Sequence, residues 1–249
     1  LLRKPCAVPI QSVEPKRLYR QIAEQLRGLI EQGEFAPGSR LPAERDLARQ
    51  LGVSRPSVRE ALIALEVEGW VEVRTGSGVY VLARLPVAGG PAAVQIAPTE
   101  WGPLELIRAR RVVEGEIAAL AAVQAKRRHL SAMRQAIQDM TTSANQGVMP
   151  LDGDRAFHSA IVEACDNMVL IETIHHFWDS RRGPLFERLG GYFETLPSWR
   201  AAIEEHEAIY QAIAAHDADA ARTAMHRHMD NSHSRFSASW RQAKRAGSG

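Results

Sequence analysis

Between residues 43 and 82 a helical period, a break, a second helical period and two alternating runs follow one another with almost no connecting chain. Few small folds accept that order, and the one that fits is a helix-turn-helix followed by a β-hairpin wing. Leu47, Ala48 and Leu51 mark the inner face of a short helix over 43–51, and Gly52-Val53-Ser54 ends it and caps the next. The next helix, over 55–68, turns Val58, Ala61, Leu62 and Leu65 inward and tolerates Pro56 because first-turn amides have no helical acceptor. Residues 70–74 and 79–82 alternate like strands about Thr75-Gly76-Ser77-Gly78, which predicts the hairpin. Upstream, Leu18, Ile22, Leu26, Leu29 and Ile30 predict one more helix, stopped by Gly33.

In such a unit the first turn of the second helix enters the major groove. Arg55 and Arg59, four residues apart, project from one face there, and an arginine fork can donate to O6 and N7 of guanine together. Ser54 and Ser57 are placed to donate to phosphates beside the positive end of the helix. Two arginines on an arbitrary helix are more often plain solvated charges; the surrounding helices, the hairpin and Arg45 favour DNA. The charge balance agrees mildly. Residues 1–84 hold 13 Lys/Arg against 10 Asp/Glu, and the rest 18 against 19, within a net charge of +2.

Residues 85–98 are rich in Ala, Gly and Pro without helical period and read as a linker. Beyond them the pattern is helical over about 103–125, 131–145, 152–166, 168–189, 198–215 and 217–245. The expectation is a mostly α chain: a leader at 1–14, a winged helix-turn-helix domain at 15–84 and a linker at 85–99. An all-α antiparallel helical bundle at 100–245 completes it, each domain burying its own core. Only Cys6 and Cys165 are present, so no disulfide framework is expected. No run is long enough for a membrane span and no signal-peptide order is seen, which points to a cytoplasmic location without membrane contact.

Nine histidines are present, and helical phase divides them. His226 shares a polar face with Arg222 and Asp230, and His129 and His216 sit near helix ends, where exposure explains them. His158 lies on a stripe with Ile161 and Cys165, His206 with Ile203, Tyr210 and Ile213, and His228 with Ala221 and Met225. Asp154 is one turn before His158 on the same inward stripe, where an unpaired carboxylate is costly. These four make a plausible metal cage with positions left for water or ligand, if their helices converge; each taken singly is more often a satisfied core residue. Arg110 also falls on an apolar stripe, with Leu106, Val113 and Ile117, as a ligand-reading cation or as an ion pair with Glu114.

The run Pro37-Gly-Ser-Arg-Leu-Pro-Ala-Glu-Arg-Asp-Leu-Ala48, then Leu51-Gly-Val-Ser-Arg-Pro-Ser-Val-Arg-Glu-Ala-Leu62, resembles the N-terminal domain of the GntR family of bacterial regulators, over residues 17–82. The resemblance implies DNA contacts from Arg45, Ser54, Arg55, Ser57, Arg59, Thr75 and Gly76, with Arg55 and Arg59 foremost. Pro56 replaces a Thr seen in some members, so no hydroxyl contact is available there. The order Asp154-x3-His158, His206, His228 resembles the FCD effector domain of the FadR subfamily, over residues 100–240. It implies a divalent transition metal, Zn first, held by Asp154, His158, His206 and His228, and a carboxylate effector read by Arg110. The stretches 105–114 and 177–186 are most similar to regulators of hexuronate catabolism, which implies a sugar acid. The function so implied is transcriptional repression from a short palindromic operator by a homodimer. A metal sensor and a metalloenzyme are the alternatives; the latter lacks an HExxH motif, a nucleophile elbow or a phosphate loop.

Overall fold

A computed structural model describes residues 17–83, 96–97 and 99–238. The expected leader at 1–14, most of the linker and the expected extension of the last helix to 245 lie outside the described residues.

The N-terminal part comprises α1 (Leu18–Glu31), α2 (Glu44–Leu51), α3 (Arg55–Val67), β1 (Val71–Arg74) and β2 (Gly78–Val81). Gly52 ends α2 in the left-handed conformation, at φ 66°, where a side chain would be strained. Ser54 then caps α3 by accepting from the Ser57 amide. β1 and β2 pair antiparallel, Val71 opposite Val81 and Val73 opposite Val79, so all four valines turn to the core. The buried stripe of α1 is Tyr19, Ile22, Ala23 and Leu26, with Leu18 facing out, a one-residue change from the expected phase. Tyr19 takes the inward place because its ring fills the core while its hydroxyl donates to the Glu100 carbonyl.

The C-terminal part comprises α4 (Pro103–Gln124), α5 (Arg127–Asn145), α6 (Leu151–Glu163), α7 (Met168–Asp179), α8 (Pro184–Phe193), α9 (Leu196–Ala214) and α10 (Ala218–Ser237). Helices α4 and α10 run antiparallel, pairing Arg111 with Asp230 and Glu116 with Arg222. The single helix expected over 168–189 is two, separated by a 3-10 turn at Ser180–Arg182. Gly183 is extended (ψ 152°) before Pro184, which lacks an amide proton and disfavours helix in the residue ahead of it. His129, expected to be solvent-exposed, is buried and accepts from the Lys126 amide through Nδ1. Among the described residues no helix is long and apolar enough to cross a membrane.

The expectation of a separate core for each domain fails. One apolar cluster joins Leu62, Leu65 and the hairpin valines to Leu104, Ile107, Leu185, Phe186, Phe193 and Phe236. A second fills the rest of the helical part, around Phe157, Met133, Met140 and Ile209. Helix α3 therefore packs on two sides and is buried continuously from Val58 to Leu65. Its Glu60 reaches across and accepts from the Leu104 amide at 2.7 Å, capping α4 where the Gly102 backbone leaves room.

Burial pushes the Glu60 carboxyl up to about 7, against the backbone amides that pull it down. An acid whose folded pKa lies above its unfolded value of 4.5 stabilises the fold fully below that value and loses the contribution as pH rises through 7. Urea unfolding of wild type and Glu60→Gln at several pH values should show the wild type losing ground by about 1 to 3 kcal/mol across that window. A difference independent of pH would mean that Glu60 titrates normally.

Candidate metal centre and nucleic-acid interface

Helix α6 places Asp154 and His158 one turn apart on its buried face. Helix α9 brings His206 and α10 brings His228, so three helices converge on one point. The candidate ligand atoms of these four residues lie within 4.8 Å of one another, and all four residues are buried. Nε2 of His206 is 3.0 Å from Oδ1 of Asp154 and 3.4 Å from Nε2 of His158. Nε2 of His158 is 3.5 Å from the same carboxylate oxygen. Donors at about 2.1 Å from one ion stand about 3.0 Å apart at right angles and about 3.4 Å apart in a tetrahedron. The spacing fits a shared ion.

The hydrogen-bond pattern points the same way. Oδ1 of Asp154 is buried and has no hydrogen-bond partner among the described residues, although two imidazoles approach it. An orphaned carboxylate oxygen costs about 1 to 3 kcal/mol or more, which a cation in the cage would offset. Four buried ligand atoms within 4.8 Å of one another are what a metal site requires, and the His/Asp set suits Zn and other divalent transition ions.

Around the four stands a layer of charged partners. Nδ1 of His158 lies against Oε2 of Glu114, out of hydrogen-bond alignment, and Nδ1 of His228 is 2.8 Å from Oε2 of Glu205. Carboxylates in that position fix the ring orientation and raise the basicity of the other nitrogen. Arg110 holds Glu114 through Nε at 2.5 Å, Arg235 donates to Glu205 at 3.0 Å, and Arg181 donates to Oδ2 of Asp154 at 2.7 Å. Burial pushes the Glu114 carboxyl up, but Arg110 and His158 outweigh it and leave it at about 2. Burial likewise opposes charge on Asp154, and His158, His206 and Arg181 reverse the balance, holding it well below the usual carboxylate range. Burial and the neighbouring His206 push His228 down to about 3, so its ring is neutral at neutral pH, the form that binds a metal.

Beside the cage lies a small cavity of about 30 Å³, lined among others by Arg110, Asp154, Arg181, His228, Ser232 and Arg235. Space of that size takes about one or two waters, so a larger ligand has to widen it. The ion pair of Arg110 with Glu114 forms, yet Nη2 of Arg110 is buried without a partner among the described residues, its guanidinium lying 4.4 Å from the Trp178 ring centre. Glu205 and Arg181 were missed in the sequence. Glu205 meets a histidine 23 residues away, and Arg181 sits in the helix break, so neither has a periodic signal.

The expected DNA-contacting residues divide. The Arg45 side chain is 81% exposed and that of Arg55 54% exposed, the latter reaching Glu44 at 3.2 Å. Ser54 is committed to capping and its hydroxyl lies 2.8 Å from that of Ser57. Thr75 and the exposed Gly76 form the tip of the wing. Arg59 departs from expectation: it is only 1% exposed. Its Nε and Nη2 donate to Glu44 and its Nη1 donates to the Phe236 carbonyl at 2.8 Å. The same-face argument for Arg55 and Arg59 left out the helices that cover α3 from its second turn onward. In this arrangement Arg59 cannot reach a base.

Comparison with known proteins follows the same division of the chain. The family described as bacterial regulatory proteins, gntR family, matches residues 18–81, and the FCD domain matches residues 105–231. Over 225 residues the chain is 36% identical to the Exu regulon transcriptional regulator of Escherichia coli K12, covering 89% of this chain and 85% of that protein. It is 36% identical to the Uxu operon transcriptional regulator of the same strain, over 87% of this chain and 85% of that one. The Uxu operon regulator of Haemophilus influenzae is 33% identical, with 86% and 80% covered.

Proposed function

Because this chain belongs to the GntR family of bacterial regulators and carries an FCD domain behind its winged helix, we propose that it is a ligand-controlled transcriptional repressor. It binds a short palindromic operator as a homodimer, each winged helix reading one half-site. Residues 15–84 form the DNA-binding domain, 85–99 the linker and 100–245 the effector domain. Arg45, Arg55, Ser57 and the wing tip at Thr75 and Gly76 supply the contacts, with Ser54 holding the first turn of α3 in shape. Two of the relatives named above are transcriptional regulators and the third an operon regulator, which sets the metalloenzyme alternative aside.

The observation that carries the effector half is the buried cage of Asp154, His158, His206 and His228 beside a cavity lined by Arg110, whose Nη2 has no partner among the described residues. Those four residues would hold a divalent ion, Zn first. When bound, it supplies a Lewis-acidic centre for a carboxylate oxygen. Arg110 offers a second point of attachment, and Ser232 and Arg235 line the path of the rest of the ligand. The Exu and Uxu names of the relatives favour a hexuronate or other sugar acid.

Retardation of a duplex selected by the full chain from a randomised pool, titrated with hexuronates at fixed salt, tests the reading. The complex should dissociate with the effector and not with a neutral sugar. Arg55→Ala should weaken specific binding by about 1 to 3 kcal/mol, the worth of one bidentate base contact. Unchanged affinity and sequence preference in that variant would remove Arg55 from base recognition.

A further inference from the structure

Two adjacent residues of α3 hold the adjoining ends of two antiparallel helices that carry the effector site. Arg59 donates to the carbonyl of Phe236, in the last turn of α10, where the helix presents its negative end. Glu60 accepts from the amides of Leu104 and Glu105, in the first turn of α4, where the helix presents its positive end. A donor meets the carbonyl end of α10 and an acceptor meets the amide end of α4, so the adjacent pair Arg59-Glu60 suits two antiparallel helices. Helix α4 supplies Arg110 and Glu114, and α10 supplies His228. Phe236, whose carbonyl Arg59 holds, lines the same cavity as His228 and Arg110.

We infer that Arg59 and Glu60 form an intramolecular latch between the recognition helix and the α4/α10 pair, which holds Arg59 away from DNA and is released when operator binds. The inference rests on the DNA-binding reading and adds a mechanism to it. Engaging DNA with Arg59 requires the guanidinium to leave the Phe236 carbonyl and the Phe193 ring, 5.3 Å away, both in the effector domain. Its contact with Glu44 lies within the winged helix and does not have to break for the domains to part. The latch is reinforced along α3 by Glu66, which accepts from Arg188 at 2.9 Å and from the Tyr192 hydroxyl at 2.6 Å, both on α8. A ligand that settles the cavity wall at Phe236 favours the closed latch, and DNA favours the open one. That is how a site buried in one domain is made to oppose the other domain's partner, since coupling requires an element with two arrangements that both ligands bias.

Hydrogen exchange on the full-length protein, with and without the selected duplex, reads the latch through the Leu104 and Glu105 amides and the peptide 232–238. Duplex binding should speed exchange there by about fivefold or more, while peptides of α5 and α6 stay unchanged. Glu60→Ala, which removes the acceptor at α4, should bind the duplex about five to ten times more tightly than wild type, and Glu60→Gln, which keeps an acceptor oxygen, should stay near wild type. Exchange that is unchanged or slowed by duplex, or a Glu60→Ala variant with wild-type affinity, would overturn the latch and leave the DNA-binding reading intact. A wild-type chain that selects no duplex would overturn both.

Discussion

Replacing His206 by alanine should abolish stoichiometric metal binding and make the protein's thermal stability indifferent to chelator. His206 is the central member of the cage: fully buried, within 3.0 Å of Asp154 and 3.4 Å of His158, with its ring centre 4.4 Å from that of His228. An ion bound only by the folded state stabilises it in proportion to the logarithm of its concentration over Kd, about 4 kcal/mol at a thousandfold excess. Losing one of four protein ligands should remove most of that. Wild type treated with chelator should therefore fall in melting temperature by several degrees and recover with Zn, whereas His206→Ala should start low and respond to neither. Metal content by elemental analysis after exhaustive dialysis checks the assignment directly. Equal metal in both proteins would take His206 out of the cage. A metal-free wild type that still bound a hexuronate tightly would return all four residues to ordinary core roles.

What the sequence made visible was whatever repeats along a helix. Asp154 and His158 share a face by their spacing, and the inward phase of His206 and His228 is read from the apolar residues around them; the structure brings the four together. The same reasoning placed the boundaries of α1 to α3 and the two strands within about two residues. What it could not supply was packing between distant segments. Nothing periodic links Glu205 to His228 or Arg181 to Asp154, because those pairs exist only once α9, α10 and the break after α7 are in place. The burial of Arg59 is what the sequence did not show. By spacing Arg59 shares the face of Arg55, but Glu44 holds it within the winged helix and the packing of α8 and α10 against α3 covers it. The break at Gly183-Pro184 was readable and was overridden by an apolar pattern that continues across it.

Arg110 holds two roles, and separating them gives the second large effect. In the ligand-free protein its Nε is bound to Glu114, which is fully buried, held at about 2, and itself lies against the Nδ1 of His158. Arg110→Ala strands that carboxylate in the interior beside a metal-site histidine, and breaking a buried pair from one side typically costs about 3 to 5 kcal/mol. A loss of ligand binding in that variant would therefore say little about recognition, since the cage itself loses a support. Arg110→Lys keeps a cation within reach of Glu114 but lacks the planar fork whose Nη2 now has no partner. Its melting temperature without ligand should stay close to wild type, while its affinity for a hexuronate, measured calorimetrically at saturating metal, should drop by about tenfold or more. That corresponds to about 1.4 kcal/mol, the low end of what a charge-assisted hydrogen bond contributes. Since Arg110 lies on α4, outside the winged helix, operator affinity of the ligand-free Lys variant should be unchanged, and release of operator should need proportionally more ligand. A Lys variant that bound hexuronate as tightly as wild type would assign Arg110 to holding Glu114 and nothing more, and the carboxylate would then have to be read by the metal cage with Arg181 or Arg235 beside it.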